Sequence, residues 1–371
     1  MLKPEAGAIA SVAPSSARTQ CSIPALRKKR SNLTAQVIFG QLDLIATLAA
    51  RVLLPRPVSL NAFFFQPIGA DVRRQIIIFY NSTLNLIVMK IKTRLVLFAW
   101  LLFTAANVFS QDTNFYIFLC FGQSNMEGFP GVEEQDRIVD NRFQVMAAVD
   151  FPNMVRNVGA WYAAVPPLCR NSTGLCPADY FGRTLVANLP ANIKVGIVNV
   201  SVAGCKIELF DKTSYQSYAS TAPSWMTGII SAYNGNPYGR LVEMGNLAQK
   251  DGVIKGILLH QGESNTNDKD WPLKVKTIYD NLIKDLKLKS GDAPLLAGEL
   301  VNADQHGACA SMNAIINELP KTIPNSYVIS SKGCASRPDH LHFNAAGYRE
   351  IGRRYGLKML SLLGFSVYNP Q

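Results

Sequence analysis

Five stretches of the chain are apolar over the length of a strand: residues 115–121, 195–200, 253–260, 294–300 and 327–330. Runs such as Ile117-Phe118-Leu119-Cys120-Phe121 show no alternation with polar residues, which is the pattern of strands covered on both faces. Between and after them apolar positions recur at helical spacing, over 180–188, 239–250, 271–288, 309–319 and 345–363. Strand and helix alternating in this way predict a three-layer α/β/α sandwich around a central, mostly five-stranded parallel sheet with right-handed crossovers. Residues 128–178 and 205–238, rich in Pro, Gly, Asn and aromatic side chains, read as long loops near the C-terminal edge of that sheet. In open α/β sheets this edge is where ligands bind. No repeat, heptad run or phosphate loop is visible, since residues 123–131 lack the Lys and the spacing of a P-loop.

The first 110 residues follow a different pattern. From Met89, the cations Lys90, Lys92 and Arg94 precede an apolar run over 95–106 and then Val108-Phe109-Ser110, a cleavage site before Gln111. This is the layout of a secretory signal peptide over 89–110, and it predicts a secreted or periplasmic protein. The run over 95–103 is short of the roughly 20 residues a spanning helix needs, so no stable membrane anchor is expected. A signal peptide stands near the start of translation. Residues 1–88, with Arg27-Lys28-Lys29-Arg30 and short apolar runs of no steady period, therefore read as a non-native or disordered extension. Residues 111–371 are expected to form one domain.

Charge changes the picture only until it is located. The 371 residues carry 37 Lys+Arg against 26 Asp+Glu, a formal +11, which by itself suggests nucleic acid as a partner. Residues 1–110 hold 13 of these cations and 3 of the anions, which leaves 24 against 23 for residues 111–371. The domain is close to neutral, and no nucleic-acid partner is expected. An exported domain meets oxidising conditions, so Cys169–Cys176 and Cys309–Cys334 are the expected disulfides. Cys120 and Cys205 read as buried small side chains. His306, Cys309, Cys334 and His340 match no standard zinc spacing, and neither metal nor cofactor is expected.

The candidate chemistry sits at strand ends. The first strand runs into Gly122-Gln123-Ser124-Asn125-Met126, which puts a serine where the chain turns sharply and backbone N–H groups are free. Near the C-terminus, Asp339 stands three residues before His342, a spacing at which a carboxylate orients an imidazole while the other ring nitrogen accepts the serine proton. The second strand ends in Ala203-Gly204-Cys205, where a glycine N–H can approach a developing oxyanion. The third ends in His260-Gln261-Gly262-Glu263-Ser264-Asn265, a dense polar cluster in which His260 reads as a hydrogen-bonded core residue.

Four polar strand ends in this order resemble the SGNH hydrolase superfamily, and the Gly-Gln-Ser-Asn-Met and His-Gln-Gly-Glu-Ser-Asn segments are similar to its carbohydrate esterase family 6 and sialate O-acetylesterase-like branch. The resemblance spans about residues 114–362, including Trp161 ahead of Pro167-Leu168 and Gly347-Tyr348-Arg349 after the histidine. It implies a flavodoxin-like SGNH fold and a Ser-His-Asp acyl-enzyme mechanism acting on an acetylated carbohydrate. Ser124 would be the nucleophile, His342 the base and Asp339 its acid, with Glu263 as the rival carboxylate. Gly204 and Ser124 would supply oxyanion N–H groups, with Gln261, Gln123 and Asn125 as further oxyanion or substrate contacts. Acetylated xylan is the first expected substrate and O-acetylated sialic acid the second. The rivals are a catalytically silent carbohydrate-binding module and an SGNH lipase or thioesterase. Trp161, Tyr162, Tyr215, Tyr218 and Trp225 are candidates for sugar stacking.

Overall fold

The computed structural model describes residues 69–105, 111–129 and 131–366. The chain divides into two units, residues 1–100 and 101–371. The first holds most of helix α1 (Ala70–Ala105), which begins upstream of Met89 and so is longer than the apolar run of the leader. Both Arg27-Lys28-Lys29-Arg30 and Val108-Phe109-Ser110 lie outside the described residues. Among the described residues no helix is long and apolar enough to cross a membrane.

The second unit is built on a sheet of β1 (Asp112–Gly122), β2 (Phe143–Met146), β3 (Trp161–Ala163), β4 (Lys194–Ser201), β5 (Gly252–His260), β6 (Leu295–Gly298) and β7 (Ser326–Ile329). Their order is β3-β2-β4-β1-β5-β6-β7, parallel throughout except for β3, which runs antiparallel to β2. The main flanking helices are α2 (Pro177–Asn188), α3 (Pro237–Ala248), α4 (Trp271–Asp285) and α5 (Ala345–Leu362). Pleating sends Ile117, Leu119 and Phe121 of β1 into one core with Leu241 and Met244 of α3 and Val275, Ile278 and Leu282 of α4. Phe118 and Cys120 enter the opposite core with Phe181 and Leu185 of α2 and Tyr348, Ile351 and Tyr355 of α5. Each fully buried large side chain of this kind contributes about 1.5–3 kcal/mol, which is why the apolar runs carry no alternation.

The sheet has seven strands where five were expected. β2 and β3 are four and three residues long and lie inside the segment read as a loop, too short to show a period. The other expected loop contains helices Tyr215–Ser220 and Ser224–Ser231. The helix expected over 309–319 is instead two short ones, Met312–Ile316 and Leu319–Thr322, because Pro320 fits a helix start but not an interior.

Neither expected disulfide is formed, and the six described cysteines are free thiols. The Cys169 sulfur faces the Ser201 carbonyl at 3.8 Å and the Tyr233 hydroxyl at 3.4 Å, while Cys176 caps α2 and faces Asn199 at 3.8 Å. Cys309 faces the Glu263 carbonyl at 3.8 Å, and Cys334 is fully buried in the α2–α5 core. Each sulfur is thus engaged in a different contact, and burial pushes the Cys169 and Cys334 thiols up to about 11. Cys120 and Cys205 are buried as expected.

This topology fixes where chemistry can occur. β1 lies between β4 and β5, and the chain places β2, β3 and β4 on one side of it before β5, β6 and β7 on the other, so β1 is the topological switch point. Gly122 pairs with both Ser201 and His260, so three strands end at one level. A Cβ on Gly122 would lie 2.1 Å from the His260 carbonyl oxygen, and only glycine allows that approach.

Candidate active site

The turn after β1 is the short helix Ser124–Glu127, and its geometry is fixed from below. The Gln123 N–H donates to the His260 carbonyl at 3.1 Å, and the Asn199 amide donates to the Met126 carbonyl at 2.9 Å. Asn199 is in turn held by the Ser201 hydroxyl at 2.8 Å. Ser124 is 6% exposed.

The turn Asp339–Phe343, just before α5, meets it. His342 Nε2 lies 2.8 Å from Ser124 Oγ, and His342 Nδ1 lies 3.0 Å from Asp339 Oδ2. The other Asp339 oxygen accepts the backbone N–H groups of Leu341 and His342, each at 3.0 Å. Burial opposes the charge of Asp339. The His342 N–H, the His342 ring and the Leu341 N–H outweigh it and hold this carboxyl at about 2. Asp339 is therefore an anion at neutral pH, placed to orient the imidazole and to stabilise its positive form.

Glu263 does not take that place. Its Oε1 accepts from the Asn125 amide at 2.5 Å, and its Oε2 is buried without a hydrogen-bond partner. Burial pushes the carboxyl up to about 7, against the Asn125 hydrogen bond. Asn125 also donates to the Leu341 carbonyl at 3.0 Å and accepts from the Tyr348 hydroxyl at 2.5 Å. Asn125 thus grips the backbone on both sides of His342, and Glu263 holds Asn125 in turn. Gln261 is committed as well, donating to Gln123, Cys205 and Asn265 and accepting from Trp271. The Gln123 side-chain oxygen Oε1 accepts from the Gln261 amide at 3.0 Å and from the Ser264 N–H at 3.3 Å. Of the four expected oxyanion or substrate contacts, Asn125 and Gln261 have their side-chain amides tied into this frame, whereas the Gly204 N–H is not.

The N–H groups of Ser124 and Gly204 donate to no acceptor among the described residues. Gly204 has φ +67°, a left-handed conformation that suits glycine, and its carbonyl is held by the Ser264 hydroxyl at 2.9 Å. Its loop is held by a pair that the sequence did not reveal. Glu127 accepts the Ala203 N–H at 3.1 Å and forms a largely buried ion pair with Arg170. Burial raises the Glu127 pKa, against the Arg170 charge. An acid three residues after the candidate nucleophile, in the turn Ser124-Asn125-Met126-Glu127, was the available signal.

Two aromatic rings frame the opening. Phe129 stacks on the His342 imidazole, with centroids 4.0 Å apart and planes 7° from parallel, and the Arg337 guanidinium lies 4.7 Å from the same ring. The tip of Trp225 lies 2.6 Å from where a Gly204 Cβ would be. The other expected stacking residues serve elsewhere. Trp161 packs on Phe115 and donates to Asp251, Tyr162 accepts the Asn157 N–H, and Tyr218 accepts the Lys206 N–H. Tyr215 belongs to the helix Tyr215–Ser220, where its hydroxyl accepts from Gln216. His260 is buried beside Tyr355, and burial drives it down to about 3, so it is neutral. His306 and His340 stand 5.7 Å apart, and no group of three or more His, Cys, Asp or Glu among the described residues could hold a metal ion.

Residues 114–361 match the family model described as carbohydrate esterase, sialic acid-specific acetylesterase. Among solved structures, a protein from Arabidopsis thaliana is similar at 20% identity and TM-score 0.50, over 66% of this chain and 98% of that one. NanS is similar at 18% identity and TM-score 0.49, over 69% and 99%. A carbohydrate acetylesterase from Xanthomonas citri is similar at 17% identity and TM-score 0.49, over 68% and 57%. The structural likeness to the Arabidopsis protein shows the fold. The family match covers both turns that bring Ser124 and His342 together, along with the strand ends between them. The chain belongs to the carbohydrate esterase family of sialic acid-specific acetylesterases.

Proposed function

We propose that the protein is an exported serine esterase that removes O-acetyl groups from carbohydrate through an acetyl-enzyme intermediate. The observation that carries this reading is the continuous relay Ser124 Oγ–His342–Asp339, at 2.8 and 3.0 Å, beside two unpaired backbone N–H groups. Ser124 Oγ attacks the acetyl carbonyl carbon while His342 Nε2 takes its proton, and the N–H groups of Ser124 and Gly204 receive the oxyanion. Collapse expels the sugar oxygen, which leaves with the proton from His342. Water then attacks the acetyl-serine, giving its proton to His342 and releasing acetate and free Ser124. Asp339 stays ionised throughout.

Acetylated xylan remains the first sugar to test. O-acetylated sialic acid is the second reading, and the family's description favours it. Export rests on the leader pattern over residues 89–110. Purified protein assayed side by side on p-nitrophenyl acetate, acetylated xylan and O-acetylated sialic acid tests the function, with acetate release from at least one sugar expected. Turnover of long-chain acyl esters with no acetate released from either sugar would replace this reading with a lipase.

A further inference from the structure

Scattered exposed aliphatic side chains are ordinary on a folded surface, and Ile138, Val155, Val158 and Leu273 are of this kind. The exposed aromatic side chains described in the 111–366 region are different. Phe129 is 47% exposed and Trp225 is 56% exposed, and both stand at Ser124, one against His342 and the other against Gly204. The region's three tryptophans divide the same way. Trp161 donates its indole N–H to Asp251 at 2.9 Å and Trp271 to Gln261 at 2.6 Å, whereas the Trp225 N–H donates to no acceptor among the described residues.

Trp225 is not needed to hold the oxyanion loop. The next residue on its helix, Met226, turns inward at 3% exposure and approaches within 3.5 Å of the Gly204 Cβ position. The Ser264 hydroxyl holds the Gly204 carbonyl, and Glu127 holds the Ala203 N–H. An indole left exposed with a free N–H beside a reaction centre has the chemistry to meet a pyranose. The C–H face of the sugar covers the ring, and a hydroxyl or ring oxygen accepts the N–H.

We propose that Trp225 is the stacking platform of a sugar subsite on the oxyanion side of Ser124, with Phe129 as the opposite wall, so that the acetyl ester is presented between them. This rests on the carbohydrate-esterase reading and adds the residue that selects sugar esters over simple ones.

The test uses the full chain and three forms: wild type, Trp225→Ala and Trp225→Phe. Each is assayed on p-nitrophenyl acetate and on whichever acetylated sugar the wild type turns over, either acetylated xylo-oligosaccharide or O-acetylated sialic acid. The platform predicts that Trp225→Ala raises KM for the sugar ester about tenfold or more, while kcat moves less than about threefold. The preference for sugar ester over p-nitrophenyl acetate, as a ratio of kcat/KM, falls about tenfold. Trp225→Phe recovers most of that preference, because it keeps a stacking face and loses only the N–H. Equal losses on both substrates would show that Trp225 props the oxyanion loop, and an unchanged sugar KM would show that it does nothing for the sugar; either result overturns the proposal. A wild type active on p-nitrophenyl acetate and on neither sugar would end the carbohydrate reading and the platform together.

Discussion

Two polar turns converge on Ser124, the one after β5 (Gln261–Asn265) and the one before α5 (Asp339–Phe343), and each brings a carboxylate. Asp339 is partly open to solvent and accepts three N–H bonds, from the His342 ring and from two backbone groups, so it stays charged down to about pH 2. Glu263 is closed in, accepts one side-chain hydrogen bond, from Asn125, and reaches about 7 because burial penalises its charge. The two acids can therefore be told apart by what surrounds them. The one that receives several donors is an anion placed beside the imidazole, and the one shut away from water holds its proton up to about pH 7.

The sharpest way to break this division is to remove its members in turn. Ser124→Ala and His342→Ala are each expected to lower acetyl-ester kcat/KM by ~10³ or more with the fold intact, since a triad acts as a unit. Steady-state rates with a circular-dichroism spectrum check this. Asp339→Asn comes next, at ~10² or more, because an amide no longer supports the charged imidazole. Glu263→Gln keeps an acceptor for Asn125 and is expected to cost about tenfold or less. A reversal of the last two in kcat/KM would exchange the roles assigned to the carboxylates.

Much of this site was legible from sequence, and its limits have physical causes. Ser124, His342, Asp339 and Gly204 lie at strand ends or in a four-residue turn, where local spacing already dictates geometry. The choice between Asp339 and Glu263 was open because it depends on desolvation, which follows from packing by residues far apart in the chain, such as Tyr348 on Asn125. The Glu127–Arg170 pair was hidden for the same reason, its members standing 43 positions apart. In the fold, β1, β4, β5 and β6 were visible because most of their residues are buried on both faces, whereas β2, paired on β4, and β3, paired on β2, are too short to show a period of their own. The expected Cys169–Cys176 disulfide failed because closeness in sequence did not decide where each sulfur points.

Smaller effects sharpen the contrast between framework and chemistry. Arg170→Met leaves Glu127 buried without its cation and is expected to destabilise the fold by about 3 kcal/mol in denaturant melts. A loss under about 1 kcal/mol would show that the pair is dispensable. The smallest effect concerns pH. A folded-state pKa of about 7 for Glu263, raised from the ordinary 4.5, means that the native state holds its proton to higher pH than the unfolded chain does. That contribution is full below about 4.5 and is lost as pH rises toward and past 7. Buried Asp179, also raised to about 7, adds to the same slope, whereas neutral His260, lowered to about 3 from 6.5, contributes stability that is lost as pH falls through that interval. Melting temperatures of Glu263→Gln and wild type compared from pH 5 to 8 should show a shallower decline in the variant, and parallel curves would remove the buried neutral acid from the account.

The central claim is that Ser124 is a nucleophile switched on by His342 and Asp339. It is tested most directly by covalent labelling with a p-nitrophenyl phosphate triester, in which the serine oxygen displaces p-nitrophenolate at phosphorus and gives its proton to His342. Peptide mass spectrometry should place the phosphoryl group on Ser124, with one p-nitrophenolate released per label and loss of acetyl-ester turnover in step. Labelling should be slowed strongly in His342→Ala and abolished in Ser124→Ala. A protein that stays fully active without label on Ser124, or that loses activity through label on another residue, would contradict the assignment.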